Sequence, residues 1–266
     1  MAHLPAGVTM VQIAINSDVA EGFGAWSFGD DAGILKHVTA ANVACGFHAG
    51  DPSIIREVCT TAAATGVSIG AQVSYRDLAG FGRRFIDIKR ADLVNDLLYQ
   101  IGALRIFAEI AGSRLNYVKA HGALYNAAAR HHEHARAIAE AVATAGHSLP
   151  LLCQPATETW TAALSAGVVP LAEVFADRAY TAEGLLVDRA QPGALITDPE
   201  EVADRCLQMA AENTVKAITG ETVHFTQTPA AICLHSDTPG AANIAAKLAA
   251  TLRQAGVQLV GIGAGT

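Results

Sequence analysis

Polar and ionisable side chains in this chain recur where short apolar runs end. Asn16 and Asp18 follow Val11–Ile15, His48 follows Ala40–Cys45, and Gln72 follows Val67–Ala71. Lys119 and His121 lie in and just after Tyr117–Ala120, and Gln154 follows Leu149–Cys153. Glu173 falls within Val168–Phe175, with Asp177, Arg178 and Tyr180 beyond it, and His235-Ser236-Asp237 closes Ala230–Leu234. A carboxylate at the end of an apolar run, as in N-x-D at 16–18, can serve as a general base or a metal ligand. His48 stands between Gly46 and Gly50, whose freedom lets backbone and side chain approach a ligand closely. Lys119 is flanked by Val118 and Ala120. An ammonium buried there needs a carboxylate, for which Glu173 and Asp18 are candidates, or an anionic substrate.

Several of these residues also have plainer readings. A buried, hydrogen-bonded histidine accounts for His121 or His235 taken singly, whereas three histidines at equivalent strand ends favour a site. Asp51 and Asp198 each precede a proline and are predicted helix caps. Arg83-Arg84, after Gly80-Phe81-Gly82, suits a carboxylate or phosphate and equally a solvated loop. The His131, His132, His134 group opens a charge-rich helix and reads as solvated surface.

Apolar runs and helical patterns must alternate to position these groups. The longest helix is predicted over Arg90 to Ala111, where Leu93, Leu97, Ile101, Leu104, Ala108 and Ala111 recur at three- and four-residue steps. Another is predicted over Asn126 to Ala145, and shorter ones start at Asp30 or Asp31, Asp51, Thr157, Asp198 and Thr238. Asn16-Ser17-Asp18 is expected to terminate the first strand, and Val223-His224-Phe225 reads as a hairpin piece. Strands that are continuously apolar and alternate with helices imply a parallel sheet covered by helices. Seven strand–helix units are clear, and Val257–Ile262 is a candidate eighth strand. A length of 266 residues suits an α/β (β/α) barrel of TIM-like type in one domain, residues 1–266. In such a barrel the C-terminal strand ends converge on one mouth, which is where the polar groups fall. The loop from Tyr180 to Thr197 is long enough to act as a binding loop or lid.

Composition narrows the function classes. Net charge is −7 with no basic run, which disfavours nucleic acid as a partner. The five cysteines are scattered without a C-x-x-C pair, so neither a zinc site nor a disulfide framework is expected. No G-x-G-x-x-G follows a strand, and neither a phosphate-binding G-x-x-x-x-G-K-[ST] nor a G-x-S-x-G nucleophile turn occurs. The first residues lack the charged and apolar segments of a signal peptide, and no run suits a membrane span; a cytoplasmic, membrane-free protein is expected.

Seven blocks carry a family resemblance: I-N-S-D-V-A-E-G-F-G (15–24), A-N-V-A-C-G-F-H-A-G-D-P (41–52), D-L-A-G-F-G-R-R (77–84), V-K-A-H-G-A-L-Y-N (118–126), E-V-F-A-D-R-A-Y (173–180), Q-P-G-A (191–194) and C-L-H-S-D-T-P-G-A (233–241). In this order they resemble the LamB/YcsF family, which provides the A subunit of ATP-dependent 5-oxoprolinase. The resemblance implies a seven-stranded barrel like that of the polysaccharide deacetylases. It also implies opening of the lactam of 5-oxo-L-proline to L-glutamate, coupled to ATP hydrolysis, with partner subunits B and C. ATP would then be bound through the complex. Asp18 and His48 match two of three divalent-metal positions in the deacetylase relatives, but the third, a histidine in the family block, is Gln72 here. An amide is a poor transition-metal ligand. The expected catalytic groups are Asp18, His48, Lys119 and His121, with Asn16, Gln72, Glu173, Arg178 and His235 toward the substrate. A free-standing metal-dependent deacetylase or amidohydrolase and a non-catalytic substrate-binding subunit are the alternatives.

Overall fold

The computed structural model describes residues 11–146 and 148–263. The leader reading of the first residues falls on 1–10 and lies outside them. In chain order the elements are β1 (Gln12–Val19), α1 (Asp31–Ile34), β2 (Ala40–Ala44), α2 (Pro52–Thr65), β3 (Ser68–Val73), α3 (Arg90–Ile110), β4 (Leu115–Ala120), α4 (Gly122–Ala128) and α5 (His132–Ala145). There follow β5 (Leu151–Cys153), α6 (Glu158–Ser165), β6 (Pro170–Phe175), α7 (Pro199–Glu212), β7 (Thr214–Lys216), β8 (Thr222–His224), β9 (Ala231–Leu234), α8 (Ala241–Gln254) and β10 (Gln258–Leu259). Strands β1 to β6 pair in sequence, β6 pairs with β9, and β9 pairs with β1, all in parallel. The barrel therefore closes with seven strands. The candidate eighth, β10, instead pairs with the start of β1 at Gln12 and Ile13, below the point where β9 takes over at Ala14. Strands β7 and β8 form a separate antiparallel hairpin.

Alternation along each strand sorts side chains between two cores. Outward residues such as Ile13, Ile15, Ile69, Val118, Val174 and Ile232 pack in the large core with apolar residues of the helices, among them Leu93, Leu97 and Leu104 of α3 and Leu248 of α8. Inward residues Ala14, Ala40, Tyr117, Leu152 and Ala231 form a small apolar plug with Ile262 and Leu171. Above this plug, the lumen turns polar.

The caps behave as predicted. Asp51 accepts the backbone N–H groups of Ser53 and Ile54, and Asp198 those of Glu200 and Glu201. Three expectations are corrected. Asn16 and Asp18 do not end β1 but lie inside it, because the lumen supplies partners for them. The helix expected over Asn126 to Ala145 is two helices, broken between Ala128 and His132. The histidine group is not uniformly solvated: His132 is exposed and pairs with Glu158, but His134 is fully buried and accepts the Tyr75 hydroxyl at 2.7 Å. All five cysteines are free and buried. Among the described residues, no helix is long and apolar enough to cross a membrane.

Gly70 is fixed by the plug. A Cβ there would lie 2.2 Å from the Tyr117 ring, so the narrow lumen admits the tyrosine only opposite a glycine. Gly70→Ala is expected to cost about 1–3 kcal/mol through overpacking, read as a lower urea midpoint in chemical denaturation.

Candidate active site

Lys119 on β4 projects into the lumen above Tyr117. Its ammonium donates to Glu173 Oε1 at 2.7 Å, Asn16 Oδ1 at 3.3 Å and Cys233 Sγ at 3.1 Å, and lies 3.7 Å from Asp18 Oδ1. Burial works against this charge, but Cys233, Glu173 and Asp18 outweigh it and hold the lysine well above its ordinary range. Asn42 bridges the neighbouring anion. Its amide donates to Asn16 Oδ1 at 2.7 Å and Asp18 Oδ1 at 2.8 Å, and its carbonyl accepts the Tyr117 hydroxyl at 2.6 Å. Burial would raise the Asp18 pKa, yet the charges of Lys119 and His235, with the Asn42 hydrogen bond, override it and hold the carboxyl below the usual range. Asp18 is therefore an ionised carboxylate at the floor of a pocket.

A second group surrounds the buried loop after β2. His48, with no exposed surface, meets Gln72 Oε1 through Nε2 at 3.2 Å. Gln72 Nε2 meets His121 Nδ1 at 3.0 Å, and His121 Nε2 donates to the Phe81 carbonyl at 3.0 Å. The two imidazoles stack with centroids 3.9 Å apart. Burial pushes His48 down to about 4, and burial with the neighbouring His48 ring pushes His121 down to about 4, so both rings are neutral near pH 7. The D-L-A-G-F-G loop presses on this pair. Asp77 folds the loop by accepting the N–H groups of Gly80 and Arg84 as well as the Arg84 guanidinium. A Cβ on Gly82, whose φ is +67°, would lie 2.8 Å from His121 and 2.9 Å from His48.

Glu21 lies between the two groups. Its Oε1 is 3.5 Å from His121 Nδ1 and 3.8 Å from His48 Nε2. Burial, and next the negative charge of Asp18, push its carboxyl up to about 7. Across the pocket, His235 holds Asp177 through Nδ1 at 2.9 and 3.1 Å, and Thr238 donates its hydroxyl to the same carboxylate. Burial would lower the His235 pKa, but Asp177 raises it above the ordinary value; burial would raise that of Asp177, but His235 lowers it. The pocket has a volume of about 570 Å³ and is lined by Asp18, Glu21, Lys119, His121 and His235, with Arg83, Arg130, Arg178 and Arg189 around it.

The expected residues thus divide. Asp18, Lys119, His121, Arg178 and His235 line the pocket, whereas Asn16 and Glu173 support Lys119 from within the barrel. His48 and Gln72 stand behind His121, and neither lines the pocket. Arg178 and Gln154 hold the long loop, donating to the carbonyls of Val187 and Gly184. Arg83 and Arg189 meet on Asp237 at 2.7 and 2.6 Å, joining three loops at the rim. Glu21, Asn42 and Asp177 were not among the expected site residues. A lone amide inside the apolar A-N-V-A run was the signal for Asn42, and a carboxylate one turn-length past Asp18 was the signal for Glu21.

A closed parallel barrel with a charged pocket at its C-terminal strand ends defines an enzyme-type (β/α) barrel. The LamB/YcsF family model matches residues 13–265, and the chain belongs to that family. A Streptomyces coelicolor protein, named as the A subunit of 5-oxoprolinase, is 52% identical over 252 residues, 95% of this chain and 99% of that one. A Kocuria rhizophila protein of the same name is 50% identical over 248 residues, 93% and 98% of the two chains. The crystal structure of a lactam utilization protein from Thermus thermophilus superposes with a TM-score of 0.89 at 42% identity, covering 94% of this chain and 99% of that one.

The Asp177–His235 pair has a defined pH signature. With the His235 pKa raised above 6.5 in the fold, its contribution is complete below that value and is lost as pH rises through the raised pKa. With the Asp177 pKa lowered from 3.8, its contribution is present above that value and is lost as pH falls through the lowered pKa. Asp177→Asn is expected to cost about 1.5–3 kcal/mol at neutral pH. Urea denaturation across pH should show the gap to wild type narrowing on the alkaline side.

Proposed function

We propose that this chain is the A subunit of an ATP-hydrolysing 5-oxoprolinase, which opens the lactam of 5-oxo-L-proline to L-glutamate together with subunits B and C. The observation that carries this reading is a pocket at the strand ends that brings together the Asp18 carboxylate, 3.7 Å from the Lys119 ammonium, and a His235 whose Nδ1 is held by Asp177 at 2.9 Å. Opening a lactam requires a base for water, a donor at the carbonyl oxygen and a proton for the leaving nitrogen. Asp18 takes the proton from water. Its base strength is modest because Lys119 stabilises the carboxylate, which suits a carbonyl already activated by phosphorylation. His235, with Nδ1 committed to Asp177, polarises the carbonyl. Glu21 lies beside His121 and carries a proton near neutrality, so it supplies the leaving nitrogen.

Lys119 has a narrower role than a proton donor. Its three N–H groups are directed at Glu173, Asn16 and Cys233, so it acts by holding Asp18 ionised. Arg178 and its neighbours at the rim suit the substrate carboxylate. ATP is bound on a partner subunit, since this chain has no phosphate-binding loop. The lactam oxygen takes the γ-phosphoryl group as ADP leaves, water adds to the activated carbon and the C–N bond breaks to give an acyl phosphate. A second water releases phosphate and L-glutamate. The similarity to proteins named as the A subunit of 5-oxoprolinase, and to a lactam utilization protein, supports the reading.

The test is reconstitution with the B and C partners, measuring glutamate formed from 5-oxoproline and ATP. Wild-type complex should turn over, and Asp18→Asn should lower kcat by about a hundredfold or more while the complex still assembles. No glutamate under any combination of partners contradicts the proposal.

A further inference from the structure

One backbone carbonyl fixes the protonation pattern of the buried histidine pair. The Phe81 oxygen can only accept, so His121 Nε2, 3.0 Å away, carries a hydrogen. Phe81 is held there in a left-handed conformation, φ 55°, with Gly82 packed against His121. In the neutral ring, His121 Nδ1 is then bare and accepts from the Gln72 NH2 at 3.0 Å. That leaves Gln72 Oε1 facing His48 Nε2 at 3.2 Å, so His48 Nε2 carries a hydrogen as well. The opposite amide orientation would set the Gln72 carbonyl against a bare His121 Nδ1.

This pattern bears on a cation. Donor atoms of Glu21, His48 and His121 lie within 4.8 Å of one another, the spacing of a three-ligand metal centre. A ligating imidazole must offer a lone pair. Of the two nitrogens facing Glu21, His48 Nε2 holds a proton and His121 Nδ1 is occupied by the Gln72 amide. Asp18, the other ligand implied by the family resemblance, accepts from Asn42 and lies 3.7 Å from the Lys119 ammonium, which repels a cation. The donor set does not fit a bound divalent metal.

We propose that Gln72 is a positioning residue whose amide stands where a cation would, bridging His48 and His121 as Nε2–H tautomers and keeping the centre metal-free. That role does not depend on which reaction the pocket performs.

Two measurements test it on the full chain. In nitrogen-15 NMR of histidine-labelled protein, with assignments from His48→Asn and His121→Asn, both rings should show a protonated Nε2 and a bare Nδ1. Gln72→Glu, read at a pH where its carboxyl is ionised, offers only acceptors, so it should convert His121 to a doubly protonated ring, a change that loss of packing alone would not produce. In calorimetric titration of EDTA-treated protein with Zn²⁺, wild type should show no site that depends on His48. Gln72→His should gain about one equivalent of Zn²⁺, lost again when His48→Ala is added. Stoichiometric binding by wild type that His48→Ala abolishes would overturn the proposal, as would a protonated His121 Nδ1 in wild type. A folded Gln72→His that takes up no Zn²⁺ would also overturn it. Should Gln72→His fail to fold, the wild-type titration and spectra decide the matter.

Discussion

A charged lysine inside a closed barrel is the constraint on which the rest of this site depends. Lys119 has almost no contact with water, and an unpaired ammonium there would be strongly unfavourable. Glu173, Asn16, Asp18 and Cys233 answer that charge. Glu173 supplies the direct ion pair, Asn16 a carbonyl, and Asp18 a second anion at longer range. Asn42 then orders Asn16 and Asp18 from the far side and is itself anchored to Tyr117 at the top of the plug. Apolar packing below and ionic pairing above are thus joined by one tyrosine hydroxyl.

The site, taken as the pocket and the groups behind its walls, divides into an ionised side and a neutral side as a result. Asp18, Lys119, Asp177 and His235 carry compensating charges, each stabilised by a partner. Glu21, His121 and His48 lie where burial outweighs the neighbouring charges, so the carboxyl rises toward neutrality and the rings lose their protons. Two carboxyl groups three residues apart are thereby pushed in opposite directions. Separation of that kind lets one act as base while the other holds a proton.

Much of the barrel was legible because parallel strands buried on both faces leave continuous apolar runs, and each run from Ala40–Cys45 to Ala230–Leu234 falls on a strand. The site was legible in part for a related reason: Lys119 inside β4 had to find an anion, and Glu173 and Asp18 are both beside it. The first strand was cut short because Asn16-Ser17-Asp18 looks like a strand end when the lumen that satisfies it is not visible. Glu21 was missed because its direction is set by a left-handed Ala20, φ 59°, a conformation that alanine does not announce. The break before α5 lacks glycine or proline, so the pattern ran through it. The division between His121 at the pocket and His48 behind it depends on loop packing over Gly82, which spacing alone does not encode.

Whether Lys119 keeps Asp18 ionised at the pocket floor is decided by carbon-13 NMR of aspartate-labelled protein. With the Asp18 carboxyl resonance assigned by its loss in Asp18→Asn, the signal should stay at the ionised position as pH falls through the ordinary aspartate range. In Lys119→Met the same signal should move toward the protonated position at higher pH. A wild-type resonance that titrates at or above the ordinary aspartate pKa would contradict this role of Lys119.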